Sequence, residues 1–184
     1  MALTKLNYTG QGTVPIASIP TITSAKMPAG SVLQTVQASK SNTQQISGTS
    51  FVDVSDLSVA ITPRNASSKI LVTVILYGYS GLYVGKASIM RDSTEIGKAD
   101  TAGNRPITAL PFSLPPNTDG SITHASAQIL DTPSTASQIT YKITAANRAD
   151  GQESLFINRS ESDRNTTSYD PRAVSYITVQ EIAG

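Results

Sequence analysis

Between Phe51 and Tyr77 the chain reads FVDVSDLSVAITPRNASSKILVTVILY, and no other stretch limits the fold so tightly. Leu57, Val59 and Ile61 alternate with Ser58, Ala60 and Thr62, the period of two that gives a strand one buried face. Thr62-Pro63-Arg64-Asn65 interrupts that run. Proline cannot donate to a ladder and presets the first corner of a turn, while Asn and the serines after it hydrogen-bond their own backbone. Ile70 to Leu76 is then almost continuously apolar and rich in β-branched residues, the pattern of a central strand covered on both faces.

Composition extends this reading to the whole chain. Of 184 residues, 39% are hydrophobic and only 15% charged, and Ser and Thr supply roughly a quarter. No window sustains the i, i+3, i+4, i+7 spacing of a helix, so the fold class expected is all-β, an antiparallel sandwich with jelly-roll character. The length suits one domain with a single core. A formal net charge of +1 leaves no large field to attract nucleic acid or an anionic membrane. There is no cysteine, which removes disulfide scaffolds, thiolate zinc sites and thiol nucleophiles. No run is long enough to span a membrane and Met1–Gly12 lacks the form of a signal peptide, so synthesis in a cytoplasm is expected.

The first thirty residues differ from the rest. Pro15, Pro20 and Pro28 forbid a helix and regular pairing, while Leu3, Leu6, Tyr8, Val14, Ile16, Ile19 and Ile22 make the segment too apolar for a solvated tail. An extended arm over 1–30 that binds a neighbouring protein is expected, ahead of a sandwich over 31–184. An arm packed back on its own domain is the competing account.

Further strands are expected at 31–38, 46–54, 82–91, 93–99, 122–130, 139–146, 155–158 and 174–182, which with the pair above is roughly the complement of a sandwich or jelly roll. A break is expected at Gly78-Tyr79-Ser80-Gly81, a turn at 148–151, and exposed loops over 100–120 and 159–172. Neither an internal repeat nor a linker between two cores is visible.

Chemistry-bearing motifs are sparse. His124 is the only histidine and lies in an expected strand. The sequence Gly78-Tyr79-Ser80-Gly81 approaches a nucleophile elbow, but Leu82 stands where the pattern requires glycine. The thirteen carboxylates are dispersed among turns, and Glu161, Asp163 and Asp170 lack the spacing of a calcium loop. No catalytic residue, cofactor or metal is therefore assigned. Gly10-Gln11-Gly12 is not a phosphate loop, because it lacks the third glycine and the Lys-Ser/Thr pair. Asn65, Asn158 and Asn165 open Asn-x-Ser/Thr triplets, which a Ser/Thr-rich chain produces by chance. Tyr77, Tyr79 and Tyr83 form an aromatic cluster that could stack on a sugar or simply pack at a sandwich edge. Tyr79, Tyr83 and Tyr169 are the candidate glycan contacts.

Four segments carry a resemblance: PAGSVLQ at 28–34, SFVDV through LSVAITP at 50–63, SSKILV at 67–72, and the final strand ending in Glu-Ile-Ala at 174–183. Together they resemble a small β-domain of tailed bacteriophages, found in tail-fibre tips and capsid decoration proteins, notably of cyanobacterial and marine phages. The resemblance implies a trimeric virion protein. Its expected place is the outer capsid surface, as a cement protein held to the major capsid protein by its arm. A fibre protein normally carries a shaft before its tip, and here Met1 lies only a short way before the resembling segments. The alternatives are a receptor-binding fibre tip that recognises host surface polysaccharide, and a hydrolase of that polysaccharide.

Overall fold

The alternation that begins at Leu57 is the rule for nearly every strand of this protein. A computed structural model describes residues 23, 26–80, 84–105, 107–112, 120–147 and 154–184. Among them are eleven strands and no α-helix: β1 (Val32–Lys40), β2 (Gln44–Ile46), β3 (Val52–Ile61), β4 (Lys69–Ser80), β5 (Gly85–Arg91), β6 (Thr94–Ile96), β7 (Leu110–Phe112), β8 (Thr123–Asp131), β9 (Ile139–Ala146), β10 (Leu155–Ile157) and β11 (Ser175–Ile182).

The strands form two antiparallel sheets. The first is organised on β4, whose opening half pairs with β11 on one side and β8 on the other, with β1 beyond β11. On the β11 side the closing residues of β4, Gly78 to Ser80, pair with β10, which carries β2, while β8 follows β4 as far as Gly78. In the second sheet β3, β9 and β5 lie side by side, and β6 and β7 share the outer margin of β5. Inward side chains interleave between the sheets: Ile70, Val72, Val74 and Leu76 of β4 and Ile177 and Val179 of β11 meet Leu57, Val59 and Ile61 of β3 and Tyr141 and Ile143 of β9. Each such side chain removed from water contributes about 1.5–3 kcal/mol before conformational entropy is charged against it.

The strand register gives the molecule two ends. At one, β4 begins, β11 and β8 finish, and the β3–β4 turn closes the sheets. Here Glu181 is wholly buried and accepts hydrogen bonds from the backbone N–H of Arg64 (2.7 Å), the Ser68 hydroxyl (2.7 Å) and the Gln34 amide (2.6 Å). All four resembling segments reach this end, since Gln34 also donates to Thr62 O (2.8 Å), Gly30 N–H to Ala183 O and Ala183 N–H to Ser31 O. Beside them Arg91 and the Tyr141 hydroxyl both reach Asp131, at 2.8 and 2.7 Å, clipping the two sheets together. Burial, and then the Asp131 bond, push the Tyr141 phenol far above its ordinary pKa.

At the other end, Asn158 is fully buried in the left-handed region (φ 62°), a conformation that Asn tolerates better than most residues. Its side-chain amide donates to Lys40 O (2.7 Å) and Asn42 O (3.0 Å) and accepts from the Ser175 hydroxyl (2.6 Å). This one residue joins β1, β10 and β11. Its burial also closes it to glycosylation in the folded protein.

Several expectations need correction. The stretch 46–54 is not a separate strand: β2 ends at Ile46 and β3 starts at Val52, with a register irregularity where Asp56 takes φ 65°. Gly78-Tyr79-Ser80 does not break β4. A Cβ at Gly78 would run into the Phe156 carbonyl oxygen, so the glycine permits close approach of β10 instead of ending the strand. Covering of β4 on both faces holds only near Gly78 to Ser80; before that Leu71, Thr73, Ile75 and Tyr77 face outward, and Ile75 is 36% exposed. The 93–99 strand shortens to β6, and the 100–120 loop contains β7. Residues 1–22, most of the expected arm, and the 148–151 turn lie outside the described residues.

Candidate interaction surfaces

Each sheet turns one face to solvent, and the two are chemically unlike. On the first sheet, pairing aligns outward residues of β1, β11, β4 and β8 into rows: Ser39-Tyr176-Ile75-Ser126, then Gln37-Thr178-Thr73-Gln128, then Thr35-Gln180-Leu71-Leu130. Amide and hydroxyl groups bridge neighbouring strands, from Gln37 to Thr178 (2.8 Å), Gln128 to Thr73 (3.2 Å) and Gln180 to Thr35 (3.3 Å). Tyr77 and His124 stand opposite each other at the top of this face with ring centroids 5.6 Å apart. No charged side chain lies in these rows; Lys69, beside Ile182, marks their lower margin. Of the eight large hydrophobics exposed among the described residues, four (Val32, Ile75, Leu130 and Tyr176) belong to this face.

The outer face of the second sheet carries charge. Lys142 pairs with Asp53 at 2.8 Å, Lys86 lies 5.7 Å from the Phe51 ring centroid, and Glu95 accepts a hydrogen bond from Ser88. A shallow depression of about 280 Å³ here is lined by Phe51, Ser88, Met90, Glu95 and Thr144.

A third surface is the loop joining β10 to β11. Its sequence is polar, yet it is bound internally. The Asp170 side chain is inaccessible to solvent and accepts bonds from Arg164 Nε (2.7 Å) and Ser160 Oγ (2.5 Å), while the Asp170 N–H donates to Gly120 O at 3.0 Å. The bonds from Arg164 and Ser160 hold the Asp170 carboxyl below the usual carboxylate range. Arg172 reaches Asp163 at 2.7 Å, and the Arg159 guanidinium lies 4.1 Å from the Phe156 ring centroid. These contacts display Tyr169, which is 66% exposed, at a concavity of about 350 Å³ lined by Thr166 to Pro171.

The candidate glycan contacts therefore separate. Tyr169 is presented to solvent by its loop. Tyr79 is only 5% exposed and packs on Phe156 (ring centroids 6.3 Å apart), so it is a core side chain and closed to a glycan. Tyr83 and the arm residues Leu3, Leu6, Tyr8, Val14, Ile16, Ile19 and Ile22 lie outside the described residues. His124 is paired with Tyr77 on the neutral face. Among the described residues no group of three or more His, Asp or Glu side chains could hold a metal ion, and no helix is long and apolar enough to cross a membrane.

Sequence reasoning missed the neutral face, the buried Asp170 and the buried Lys40. Burial lowers the Lys40 pKa, opposed by the Asp56 carboxylate 3.8 Å away, and its ammonium donates to Asn42 Oδ1 and Ser55 Oγ. Its position at the end of β1, beside a polar link, gave no signal of burial. No protein-family model matches the chain, and no curated protein is similar to it at a significant level.

Proposed function

We propose that this chain is a non-enzymatic structural protein of a tailed-phage virion, decorating the outer capsid surface as a homotrimer and anchored to the major capsid protein by its N-terminal arm. The observation that carries this reading is the separation of the two ends. The chain enters the sandwich at the Glu181 end, where Gly30, Ser31 and Ala183 are joined by backbone hydrogen bonds. The internally bonded Tyr169 loop belongs to the end where β11 begins. A module tethered at one end and displaying ordered loops at the other suits a protein fixed to a particle surface. Apolar arm positions buried against shell subunits would stabilise the assembled form by mass action.

The test is the copy number relative to the major capsid protein, by quantitative mass spectrometry of purified particles. A ratio near parity supports a shell-covering role, and a few copies per particle places the protein on the tail.

Tyr169 favours a second reading, a fibre tip that holds host surface polysaccharide. An exposed ring on an ordered loop, next to the hydroxyls of Thr166, Thr167 and Ser168, offers stacking and hydrogen bonding to a sugar. On that reading Tyr169→Ala weakens glycan binding by the full chain roughly fivefold or more. Unchanged binding to a glycan array would remove Tyr169 from the role.

A further inference from the structure

We infer that the neutral outer face of the first sheet is where copies of this chain meet, each turning that face towards a shared symmetry axis. The inference rests on the homotrimeric reading above and assigns the surface that makes the trimer.

The argument begins with what the face lacks. The chain has 27 charged residues, from 14 Lys and Arg plus 13 Asp and Glu. The opposite face of the sandwich carries Lys86, Lys142, Asp53 and Glu95. If both faces met only water, nothing would confine charge to one of them. The neutral face also gathers half of the large exposed hydrophobics among the described residues, and depletion of charge with aromatic and aliphatic enrichment is the composition of an interface centre.

Symmetry then selects the occupant. Near a rotation axis every side chain faces its own copies, so any charge there meets a like charge. A different partner could supply opposite charges and would favour a charged patch. Threonine hydroxyls and glutamine amides both donate and accept, so each can bond to a copy of itself. The central row, Gln37-Thr178-Thr73-Gln128, reads alike from either side. Four strands about 4.8 Å apart, each with four outward positions about 6.8 Å apart, project on the order of 500 Å² per copy. Several such faces brought together reach the roughly 1,000 Å² of a specific interface.

Sedimentation of the full chain at micromolar concentration tests this. The wild type is expected to sediment as a trimer. Gln128→Lys and Ile75→Lys place an ammonium among its own copies and are expected to lower the mass to one third, with far-UV circular dichroism unchanged. Ser58→Lys, on the opposite face, should remain trimeric. Gln128 lies exposed on β8, so that variant should fold even if Ile75→Lys does not. A monomeric wild type overturns the inference, whether the face is then covered by the arm or by another protein. So do lysine variants that stay trimeric, or a Ser58→Lys that dissociates as fully. A trimer that forms through this face yet is missing from phage particles would sink only the virion reading, and a monomer found on particles would sink the trimer and this inference while leaving the virion reading standing.

Discussion

The two solvent-facing sides of the sandwich are built from the same kinds of strand, and differ in what the strands offer outward. The side made by β1, β11, β4 and β8 holds threonine, glutamine and exposed aliphatic and aromatic groups; the side made by β3, β9, β5 and β6 holds charged side chains, among them the Lys142–Asp53 ion pair. Burial of the core does not explain the difference, because both sheets fill the same interior with inward Ile, Val, Leu and Tyr. The contrast therefore lies in the outward positions alone.

The largest expected effect tests the distinction within a single strand. In the Gln128→Lys background, expected to be monomeric, Leu76→Ala, which empties a fully buried position of β4, should cost about 2–5 kcal/mol in denaturant unfolding. Its neighbour Ile75→Ala, on the neutral face, should cost less than about 1 kcal/mol in the same background. Comparable losses would mean that the outer face is already covered within one chain, which breaks the comparison.

Next in size is Asn158→Ala. It removes the amide that fixes the upper ends of β1 and β11, leaving buried partners unbonded, and should cost roughly 2 kcal/mol or more. If the flatness of the neutral face depends on that joint, the same variant should also weaken self-association seen by sedimentation.

A local effect follows, in the loop that displays Tyr169. Asp170 has its pKa depressed in the folded state, so its contribution is present above the unfolded value and is lost as pH falls through the folded one. Protection of the 159–172 amides, taken against the intrinsic exchange rate at each pH, should stay high at neutral pH and fall only below the ordinary aspartate range of about 4. Asp170→Asn should exchange rapidly at every pH. Slow exchange in that variant would show that the loop does not depend on the carboxylate.

The smallest effect is on the charged face. Lys142→Met removes a partly exposed ion pair with Asp53 and should change stability by about 0.5 kcal/mol or less. A larger loss would indicate that the pair is shielded from solvent by a further contact, and the two faces would then be less different than they look.

Much of the fold is legible because burial of one strand face writes a period of two into local sequence. Ile139 to Ala146 shows it without interruption and is β9 to the residue. Pro63 marks the turn between β3 and β4 for an equally local reason, its missing N–H and fixed φ. The misreadings have local causes too. Gly78 reads as a breaker because its true role, admitting the Phe156 carbonyl, depends on a strand 78 positions later in the chain. Tyr79 in sequence is open to sugar stacking or to packing at an edge, and only the unbroken β4, which carries it onto Phe156, decides for packing. Asp170 reads as solvated loop charge, yet the loop folds over it and buries it. In sequence Glu181 is only part of the Glu-Ile-Ala ending, although it is the acceptor around which the resembling segments gather. That resemblance therefore follows residues that build the end where the chain enters the sandwich.

By itself the sequence determined that the chain would be all-β, which residues of most strands would point inward, and where β3 would turn into β4. Those follow from side-chain alternation, β-branched content and proline geometry, all local properties. Only the tertiary structure decided which strands lie side by side. Backbone ladders carry little sequence information, and the hydrophobic pattern specifies a buried face without naming the neighbour. The neutral face is the consequence: Gln37, Thr73, Gln128 and Thr178 are unremarkable in their own segments, and become one surface only because β1, β4, β8 and β11 pair in this order and register.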